Sequence, residues 1–446
     1  MTAASANHWK SRALRTAVVV LIAALLWALW GADAWHEREV SAVPSGTTAK
    51  APQSQVQEGA YLARIGNCAV CHTTQGGEPF AGGREIDTPF GAVLSSNITP
   101  DPEHGIGQWS ADDFWRAMHF GKSRDGHRLS PAFPYTSYTH VSRADSDALF
   151  AYLQSLPPSR RANEPSKLMW PFNTQAALAV WRALYFWPAS NATKESSASV
   201  PPDTQRGAYL VQGLGHCAEC HGARSPLGGL HTGKEFAGAV LPGTPWYAPS
   251  LINTAEARAT SVDDTVRLLQ TGTTGPQSAN SEGVAQGPMA EVVLHGSQYL
   301  RDDDARSIAL YLQTLVPAAP AQSHPPAADL APAKADSRAA KLYEDHCAAC
   351  HGKEGQGQPG AYPALAGNRA VLMARPNNAV LSVQFGGFAP ATVGNPRPYG
   401  MPPFLLTLND ADVAAVLSHV RSSWGNHAAG VTELEVQQIR RLQAAH

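Results

Sequence analysis

The chain has 446 residues, which is enough for about three domains of ordinary size. Charged residues make up 16% of it and the formal net charge is −2, so the composition indicates no general attraction to nucleic acid or to anionic lipid. The sequence also contains no phosphate-binding glycine loop and no nucleophile triad, so neither nucleotide chemistry nor triad hydrolysis is expected.

The first 35 residues combine a basic stretch with an apolar run. Four basic or histidine residues between positions 8 and 15 precede an apolar run at 17–32, and three tryptophans lie near its far end. A secretory signal would end at Ala32-Asp33-Ala34. An uncleaved anchor would use the run as a short membrane span with tryptophans at the interface. Residues 1–35 are therefore predicted to be a signal peptide or a membrane anchor, with the anchor favoured, and both interpretations place the rest of the chain outside the cytoplasmic membrane.

All six cysteines belong to one pentapeptide that occurs three times, about 130 to 150 residues apart. Cys-x-x-Cys-His is the attachment signature of haem c, in which the two thiols form thioethers and the adjacent imidazole is the proximal iron ligand. Zinc would need four ligands at each site, and a thioredoxin-like pair would need a βαβ context that the sequence does not show. We therefore predict three haem c groups, and electron transfer as the role. The attachment residues are Cys68, Cys71, Cys217, Cys220, Cys347 and Cys350, and the proximal ligands are His72, His221 and His351.

Each pentapeptide is preceded by a short helical pattern and followed later by a longer one. Gly59-Ala60-Tyr61-Leu62 and Gly207-Ala208-Tyr209-Leu210 lead into the first two copies almost identically, and residues 339–343 lead into the third. The closing patterns have an acidic start and apolar residues three and four apart, and they lie at 145–156, 302–315 and 409–424. An entering helix and a closing helix around each haem motif resemble the class I cytochrome c fold. We therefore predict an all-α protein with three tandem class I cytochrome c-like domains after an N-terminal hydrophobic segment.

Shifts in composition predict the domain boundaries. After residues 1–35 we expect a linker at 36–55, a first domain at 56–158, an aromatic-rich linker at 159–200, a second domain at 201–317, an Ala/Pro linker at 318–335, a third domain at 336–427 and a C-terminal amphipathic tail at 428–446. The aromatic linker either packs on the domains as a helix, which is favoured, or docks on a membrane or partner. The tail likewise either packs within the chain, which is favoured, or docks on a partner or on lipid.

A haem that only transfers electrons needs a second axial ligand, and a thioether raises its reduction potential. Met289 and Met401 lie beside Gly and Pro ahead of the second and third closing patterns, where no periodic apolar face would bury them, and Met373 is a weaker competitor in the third domain. The matching position of the first domain holds Phe133, so we predict that Met118 reaches the iron there from a helical pattern. The alternatives for the first iron are an open position or one of the histidines His119, His127 and His140.

The whole chain resembles the three-haem cytochrome c subunits of bacterial membrane-associated dehydrogenases for alcohols, aldehydes and sugar acids such as gluconate. The resemblance rests on residues 97–101, residues 287–293, the loop around Met401, and Trp424-Gly425-Asn426. Phe133 is more similar to the subunits that partner molybdenum-containing oxidoreductases. The resemblance to class I cytochromes also implies that Pro363, and in the second domain residues 249–251, hold the proximal imidazoles through a backbone carbonyl.

This resemblance implies an electron-transfer subunit that is not catalytic alone. A separate catalytic dehydrogenase subunit, containing molybdopterin, a flavin or a quinone cofactor, would oxidise the substrate. The three haems would then pass electrons to ubiquinone or a terminal oxidase, at the periplasmic face of the cytoplasmic membrane. Two alternative hypotheses are a haem enzyme of the peroxidase or reductase type with an open first iron, and an oxidase-associated cytochrome c.

Overall fold

The computed structural model describes residues 51–189, 201–252, 260–275, 283–316 and 337–444, together with residues 15, 16, 19, 20 and 23. Almost all of the predicted signal peptide or anchor, most of the 36–55 linker and the whole Ala/Pro linker lie outside these described residues. Within the described residues, no helix combines the length and the apolar character needed to cross a membrane. Below, the first segment is residues 51–189, the second is the described part of 201–316, and the third is 337–444.

The first segment begins with α1 (Gln53–Ile65) and α2 (Cys68–His72) and continues through β1 (Glu85–Thr88), β2 (Gly91–Leu94), α3 (Ala111–Phe120), α4 (Tyr135–Tyr138), α5 (Arg143–Gln154), β3 (Lys167–Leu168) and α6 (Gln175–Tyr185). The ends of α3 follow from its sequence: Ser110 and Asp113 cap the first turn reciprocally, and Gly121 ends the helix in the left-handed conformation. Helix α1 packs against α5, as the sequence predicts. That contact requires Gly59, because a Cβ there would lie 1.9 Å from the carbonyl oxygen of Ala148.

The second segment repeats this arrangement. It contains α7 (Pro202–Gln212), α8 (Ala218–His221), β4 (Ala239–Val240), β5 (Tyr247–Ala248), α9 (Val262–Thr271), α10 (Pro288–His295), a 3₁₀ turn (Ser297–Tyr299) and α11 (Asp302–Thr314). Helix α7 packs against α11. A Cβ at Gly207 would lie 1.9 Å from the carbonyl oxygen of Ser307, so the glycine shared by the two entering helices serves the same close approach twice.

The third segment contains α12 (Ser337–His346), α13 (Ala348–His351), α14 (Arg369–Leu372), α15 (Asn377–Phe385), β6 (Gly387–Phe388), β7 (Gly400–Met401), α16 (Asp410–Ser422) and α17 (Glu433–Ala444). Helix α12 packs against α16, and α17 packs against both α15 and α16. Val431, Val436 and Ile439 are buried in the core of this segment, so this part of the predicted tail packs within the chain.

Short antiparallel strands accompany the helices and refine the all-α expectation. Strand β2 pairs with β1 and with β3, while β4 pairs with β5 and β6 pairs with β7. Residues of the predicted aromatic linker thus join the first segment through β3. Helix α6 also packs on it, because Nη1 of the buried Arg182 donates to the carbonyl of Phe120 at 2.5 Å. The opposite face of α6 exposes Val180, Leu184 and the following Trp187.

The first two segments share one hydrophobic core. Leu62 of α1 and Leu149 of α5 belong to the same cluster of buried side chains as Leu210 of α7 and Ile308 of α11. The third segment has its own clusters, built around α15, α16 and α17. Burial of this size is the main favourable term in folding, so the first two segments stabilise each other.

A reciprocal pair of hydrogen bonds reinforces that shared core. Tyr61 of the first segment donates to Asp304 of the second at 2.6 Å, and Tyr209 of the second donates to Asp145 of the first at 2.5 Å. Arg206 also binds Asp304, at 2.7 and 3.0 Å. We call these contacts the tyrosine–aspartate clamp. Their symmetry means that the two entering helices occupy equivalent positions about a local pseudo-twofold axis.

Candidate haem sites

The three Cys-x-x-Cys-His motifs each form one short helical turn. These turns are α2, α8 and α13, and they follow directly on the entering helices. One helical turn brings the first cysteine of each motif to the same face as the histidine four residues later. The second cysteine directly precedes that histidine, so both thiols lie near the imidazole. None of the six cysteines forms a disulfide bond. Burial raises the pKa of Cys68 and Cys217 to about 12.

The histidines of all three motifs make the same hydrogen bond through Nδ1. His72 Nδ1 is 2.7 Å from the carbonyl oxygen of Ser96, His221 Nδ1 is 2.6 Å from that of Pro249, and His351 Nδ1 is 2.9 Å from that of Pro363. The carbonyl can only accept, so Nδ1–H donates and Nε2 is left for a metal. Burial lowers the pKa of each imidazole, and the carbonyl contact only partly opposes this effect, so the rings are neutral, as an iron ligand must be.

Pro249 and Pro363 are the carbonyl partners that the sequence predicts, whereas Ser96 was missed. The one sequence feature near Ser96 that could have indicated its role is the adjacent segment Asn97-Ile98-Thr99-Pro100-Asp101, on which the family resemblance partly rests. In the structure the buried Asn97 side chain donates to the carbonyls of Ser159 and Arg161, at 2.8 and 3.0 Å. This network holds the loop that presents Ser96 to the first histidine.

A second buried asparagine acts in the same way in the third segment. Asn426 donates to the carbonyls of Leu365 and Val420 at 3.0 and 2.7 Å, and its Oδ1 accepts from the Gly367 amide at 2.8 Å. The loop that it holds begins two residues after Pro363. Asn426, in the segment Trp424-Gly425-Asn426 on which the family resemblance partly rests, therefore holds the loop that follows Pro363.

The second proximal loop is braced by the third segment. Arg369 of α14 donates from Nη2 to the Ser250 carbonyl at 2.9 Å and from Nη1 to the Thr260 hydroxyl at 3.1 Å. Ser250 follows Pro249 directly, so this guanidinium lies close to the proximal side of the second site. The two segments also meet where Asn378 exchanges hydrogen bonds with the backbone of Tyr247, at 2.9 and 2.8 Å.

Met118, the predicted ligand of the first iron, lies on α3 (Ala111–Phe120). It is only 5% exposed and belongs to the core cluster against which Cys68 and Ala69 pack. Phe133 packs against the same cluster and contacts Tyr138, with ring centroids 5.3 Å apart. Met118 and Phe133 therefore pack in the same core as Cys68 of the first motif.

The competing histidines lie in different surroundings. His119 stacks on Trp115 with ring centroids 4.4 Å apart, and burial lowers its pKa to about 4. His127 forms an ion pair with Asp125 at 2.5 Å, and His140 is exposed.

The other two methionines occupy different local structures. Met289 lies in the first turn of α10 rather than in the loop that the sequence predicts, because Pro288 at the first helical position starts the helix one residue earlier. Met401 lies in β7, opposite Gly387 of β6, and packs against the core of the third segment. Met373 follows α14, where its carbonyl accepts a hydrogen bond from Arg421 at 2.9 Å.

The first two motifs lie side by side, and each is contacted by the other segment. Thr136 and Ser137, in α4 of the first segment, donate to Glu219 of the second motif at 2.8 and 3.1 Å. In return, Glu291 of α10 binds Arg84 at 3.1 Å, and Arg84 donates to the carbonyl of Val70 in the first motif at 3.0 Å. The two candidate sites are therefore fixed relative to one another by polar contacts as well as by the shared core.

These residues fit haem c chemically. Each motif offers two thiols for thioether bonds and a neutral imidazole whose Nδ1 is already occupied. Within the described part of the chain, no three His, Cys, Asp or Glu side chains converge as they would in a site built for a bare metal ion. The donor set thus suits iron that arrives inside a porphyrin.

Comparison with known proteins agrees with this chemistry. The cytochrome c family model matches residues 337–424. The cytochrome c subunit of the quinone-linked alcohol dehydrogenase of Gluconobacter oxydans is 35% identical, over 87% of this chain and 83% of that protein. The gluconate 2-dehydrogenase cytochrome c subunit of Pantoea cypripedii is 38% identical, over 88% and 91%. The fructose dehydrogenase cytochrome subunit of Gluconobacter japonicus is 32% identical, over 88% and 84%. The chain belongs to this family of dehydrogenase cytochrome c subunits, and it is an electron-transfer protein that carries haem c.

Proposed function

We propose that the chain carries three covalently bound haems and relays electrons through them from a catalytic dehydrogenase subunit to ubiquinone or a terminal oxidase. The observation that carries this proposal is the threefold repetition of one arrangement: a Cys-x-x-Cys-His turn whose histidine Nδ1 donates to a backbone carbonyl. A single functional haem would not require three such arrangements. The three relatives described above are named as cytochrome subunits of dehydrogenases, and these names support the catalytic partner.

The domain plan that we propose keeps the three class I cytochrome c-like units at 56–158, 201–317 and 336–427. The matching contacts of Gly59 and Gly207 support equivalence of the first two units, and the family match at 337–424 supports the third. The iron ligands would be His72, His221 and His351 on the proximal side, with Met118, Met289 and Met401 opposite. We place the protein at the periplasmic face of the cytoplasmic membrane, held there by residues 1–35 or by its partner.

Covalent haem supplies one-electron chemistry, which divides a two-electron substrate oxidation on the partner into single steps. The residues of this chain then have three tasks. The carbonyls of Ser96, Pro249 and Pro363 orient the proximal imidazoles. The methionines close the opposite side and favour the reduced state. The shared core and the tyrosine–aspartate clamp hold the first two sites at a fixed separation.

The experiment is purification of the chain from its own cells, with identification of any subunit that accompanies it. We expect a molybdopterin, flavin or quinone-cofactor dehydrogenase in stoichiometric amount, whose substrate reduces all the haems. Carbon monoxide added to the reduced protein should leave every haem spectrum unchanged, because all three irons are six-coordinate. Carbon monoxide binding to one haem, together with turnover of peroxide or nitrite, would contradict the relay and favour a haem enzyme.

A further inference from the structure

Arg369, the first residue of α14 in the third segment, contacts the loop that orients the proximal histidine of the second site. Its Nη2 donates to the Ser250 carbonyl at 2.9 Å, and its Nη1 donates to the Thr260 hydroxyl at 3.1 Å. Ser250 directly follows Pro249, whose carbonyl accepts the hydrogen bond from His221 Nδ1 at 2.6 Å. A guanidinium of one segment is therefore joined, through this loop, to the proposed iron ligand of another.

The same stretch of chain also belongs to the proximal loop of the third site. Asn368, directly before Arg369, caps α14 and donates from its side chain to the Ala364 carbonyl at 2.8 Å. Ala364 follows Pro363, whose carbonyl accepts the hydrogen bond from His351 at 2.9 Å. The loop of the third site thus holds the backbone of Arg369 in place, while the side chain crosses to the second site.

Among the described residues, no carboxylate neutralises the charge of Arg369. The side chain is partly buried and burial lowers its pKa, but a guanidinium stays protonated in proteins. Two other arginines donate to the backbone of a haem motif, and each is paired: Arg84 with Glu291 at 3.1 Å, and Arg224 with Glu219 at 2.5 Å. Of these three arginines, Arg369 is the one whose field is not cancelled by a partner.

The side chains that hold the other two proximal loops are uncharged. Asn97 donates to backbone carbonyls beside the first site at 2.8 and 3.0 Å. Asn426 donates to backbone carbonyls beside the third site at 3.0 and 2.7 Å. An amide satisfies a carbonyl without adding charge, so a cation in this role distinguishes the second site.

A positive charge beside the proximal ligand favours the reduced iron. Ferric haem carries one more positive charge than ferrous haem, so a nearby cation destabilises the oxidised form more than the reduced form. The same repulsion acts at the imidazole: burial lowers the pKa of His221 most, the Pro249 carbonyl opposes this, and the charge of Arg369 lowers the pKa further. Because the guanidinium is partly buried, salt screens its field less than that of an exposed charge.

We propose that Arg369 is a positioning residue that holds the proximal loop of the second haem and, through its charge, raises the reduction potential of that haem. This inference rests on the proposed function, since it names what sets one of the three potentials of the relay. Arg369 belongs to the third segment, so the potential of the second haem depends on the contact between the two segments.

The test is a potentiometric titration of the full chain, purified with its haems, in which the absorption of the reduced haems is followed against the applied potential. Arg369→Gln keeps a donor for the Ser250 carbonyl and removes the charge, whereas Arg369→Lys keeps the charge. The matched control is Arg375→Gln, which removes the same charge from an exposed position of the same segment. Cys220→Ser, combined with each variant, identifies the second haem, because the unreacted vinyl group shifts the absorption band of that haem alone.

We expect Arg369→Gln to shift the second haem toward its oxidised form by about tenfold, which for a one-electron couple is a fall of about 59 mV in potential. Arg369→Lys and Arg375→Gln should leave all three potentials as they are in the wild type. The first and third haems should keep their potentials in every variant, because their proximal loops are held by asparagines.

A second pair of variants reaches the same charge without replacing the arginine. Thr260→Asp places a carboxylate against Arg369 and should lower the potential of the second haem, as Arg369→Gln does. Thr260→Asn has the same shape without the charge and should leave the potential unchanged. This pair decides the question even if replacement of Arg369 separates the segments and prevents folding.

Several results would overturn this inference. Unchanged potentials in Arg369→Gln or in Thr260→Asp would exclude the charge as the cause. An equal fall in Arg369→Gln and Arg369→Lys would leave loop support as the whole role of the residue. A fall in the first or third haem, or an equal fall in Arg375→Gln, would show that the effect is not specific to the second site. Fewer than three haems per chain would overturn the proposed function, whereas three haems with unchanged potentials overturn this inference alone.

Discussion

At the level of single residues, the assignment of Met118 separates this chain from a uniform three-unit pattern. Met118 is buried in the core cluster against which both Cys68 and Phe133 pack. Met118→Leu should abolish the sulfur-to-iron absorption of one haem and leave the other two unchanged, because leucine fills similar volume without a ligand atom. The absorption spectrum of the oxidised protein measures this.

The matched control for that variant is Met373→Leu. Met373 accepts its hydrogen bond from Arg421 through the backbone carbonyl. Replacing its side chain should therefore leave the sulfur-to-iron absorption unchanged. A Met118→Leu protein with the wild-type spectrum, or a Met373→Leu protein that loses the band, would refute the assignment.

Buried asparagines hold the proximal loops, so replacing one of them should lower the free energy of unfolding. Asn426→Ala removes three hydrogen bonds. It takes their partner from the Val420 carbonyl and the Gly367 amide, and leaves the Leu365 carbonyl with only a long hydrogen bond, 3.4 Å, from the Asn368 amide. The expected loss is about 2 to 4 kcal/mol in the free energy of unfolding. Asn426→Asp should be no better, because a carboxylate cannot donate to the Leu365 and Val420 carbonyls. Chemical denaturation measures both variants, and an Asp variant as stable as the wild type would disprove the role.

The carbonyl partners also show what sequence can and cannot predict at this scale. Pro363 lies 12 residues after His351, in a proline-containing loop typical of class I cytochromes, so its role could be anticipated. Ser96 lies 24 residues after His72 and is brought there by the β1–β2 hairpin. That pairing depends on contacts between distant residues, and serine itself gives no signal, so this partner could not be predicted.

At the level of secondary-structure elements, local patterns predicted the entering and closing helices because helix periodicity and capping are local properties. The tyrosine–aspartate clamp was invisible, since Tyr61 and Asp304 are 243 positions apart. The same limit applies to Arg369, whose partners Ser250 and Thr260 belong to another segment. The helices can be predicted from the sequence, whereas the polar contacts between them can be identified only from the three-dimensional structure.

The clamp predicts a specific acid sensitivity. Burial acts to raise the pKa of Asp304, but hydrogen bonds from Arg206 and Tyr61 outweigh it, so the pKa in the folded protein is lowered. A lowered pKa contributes stability that is present above the unfolded value of about 4 and is lost as the pH falls through the folded value. Unfolding of the first two segments should therefore become easier below about pH 4.

Asp304→Asn isolates this contribution. The variant should be less stable than the wild type at neutral pH and should lose less stability between about pH 4 and pH 2. Thermal unfolding followed at several pH values measures the difference. Parallel pH profiles for the two proteins would show that Asp304 does not link the segments in the way described.

At the level of the whole molecule, the structure joins units that the sequence presents as separate. Three motif-bearing repeats suggested three independent domains, yet the first two segments share one core and exchange contacts with each other's motifs. The physical reason is that Leu62 of α1 and Leu210 of α7 are buried in the same core. The third segment contacts the second through Arg369 and Asn378.

The central claim is that each Cys-x-x-Cys-His turn holds a haem through two thioether bonds. Intact-mass spectrometry of the mature chain under denaturing conditions, with and without an alkylating reagent, tests it most directly. We expect a mass equal to that of the polypeptide plus three haems. We also expect no thiol that can be alkylated, since all six cysteines form thioether bonds. A mass without haem and with six alkylated cysteines, or zinc in place of iron in the native protein, would contradict it.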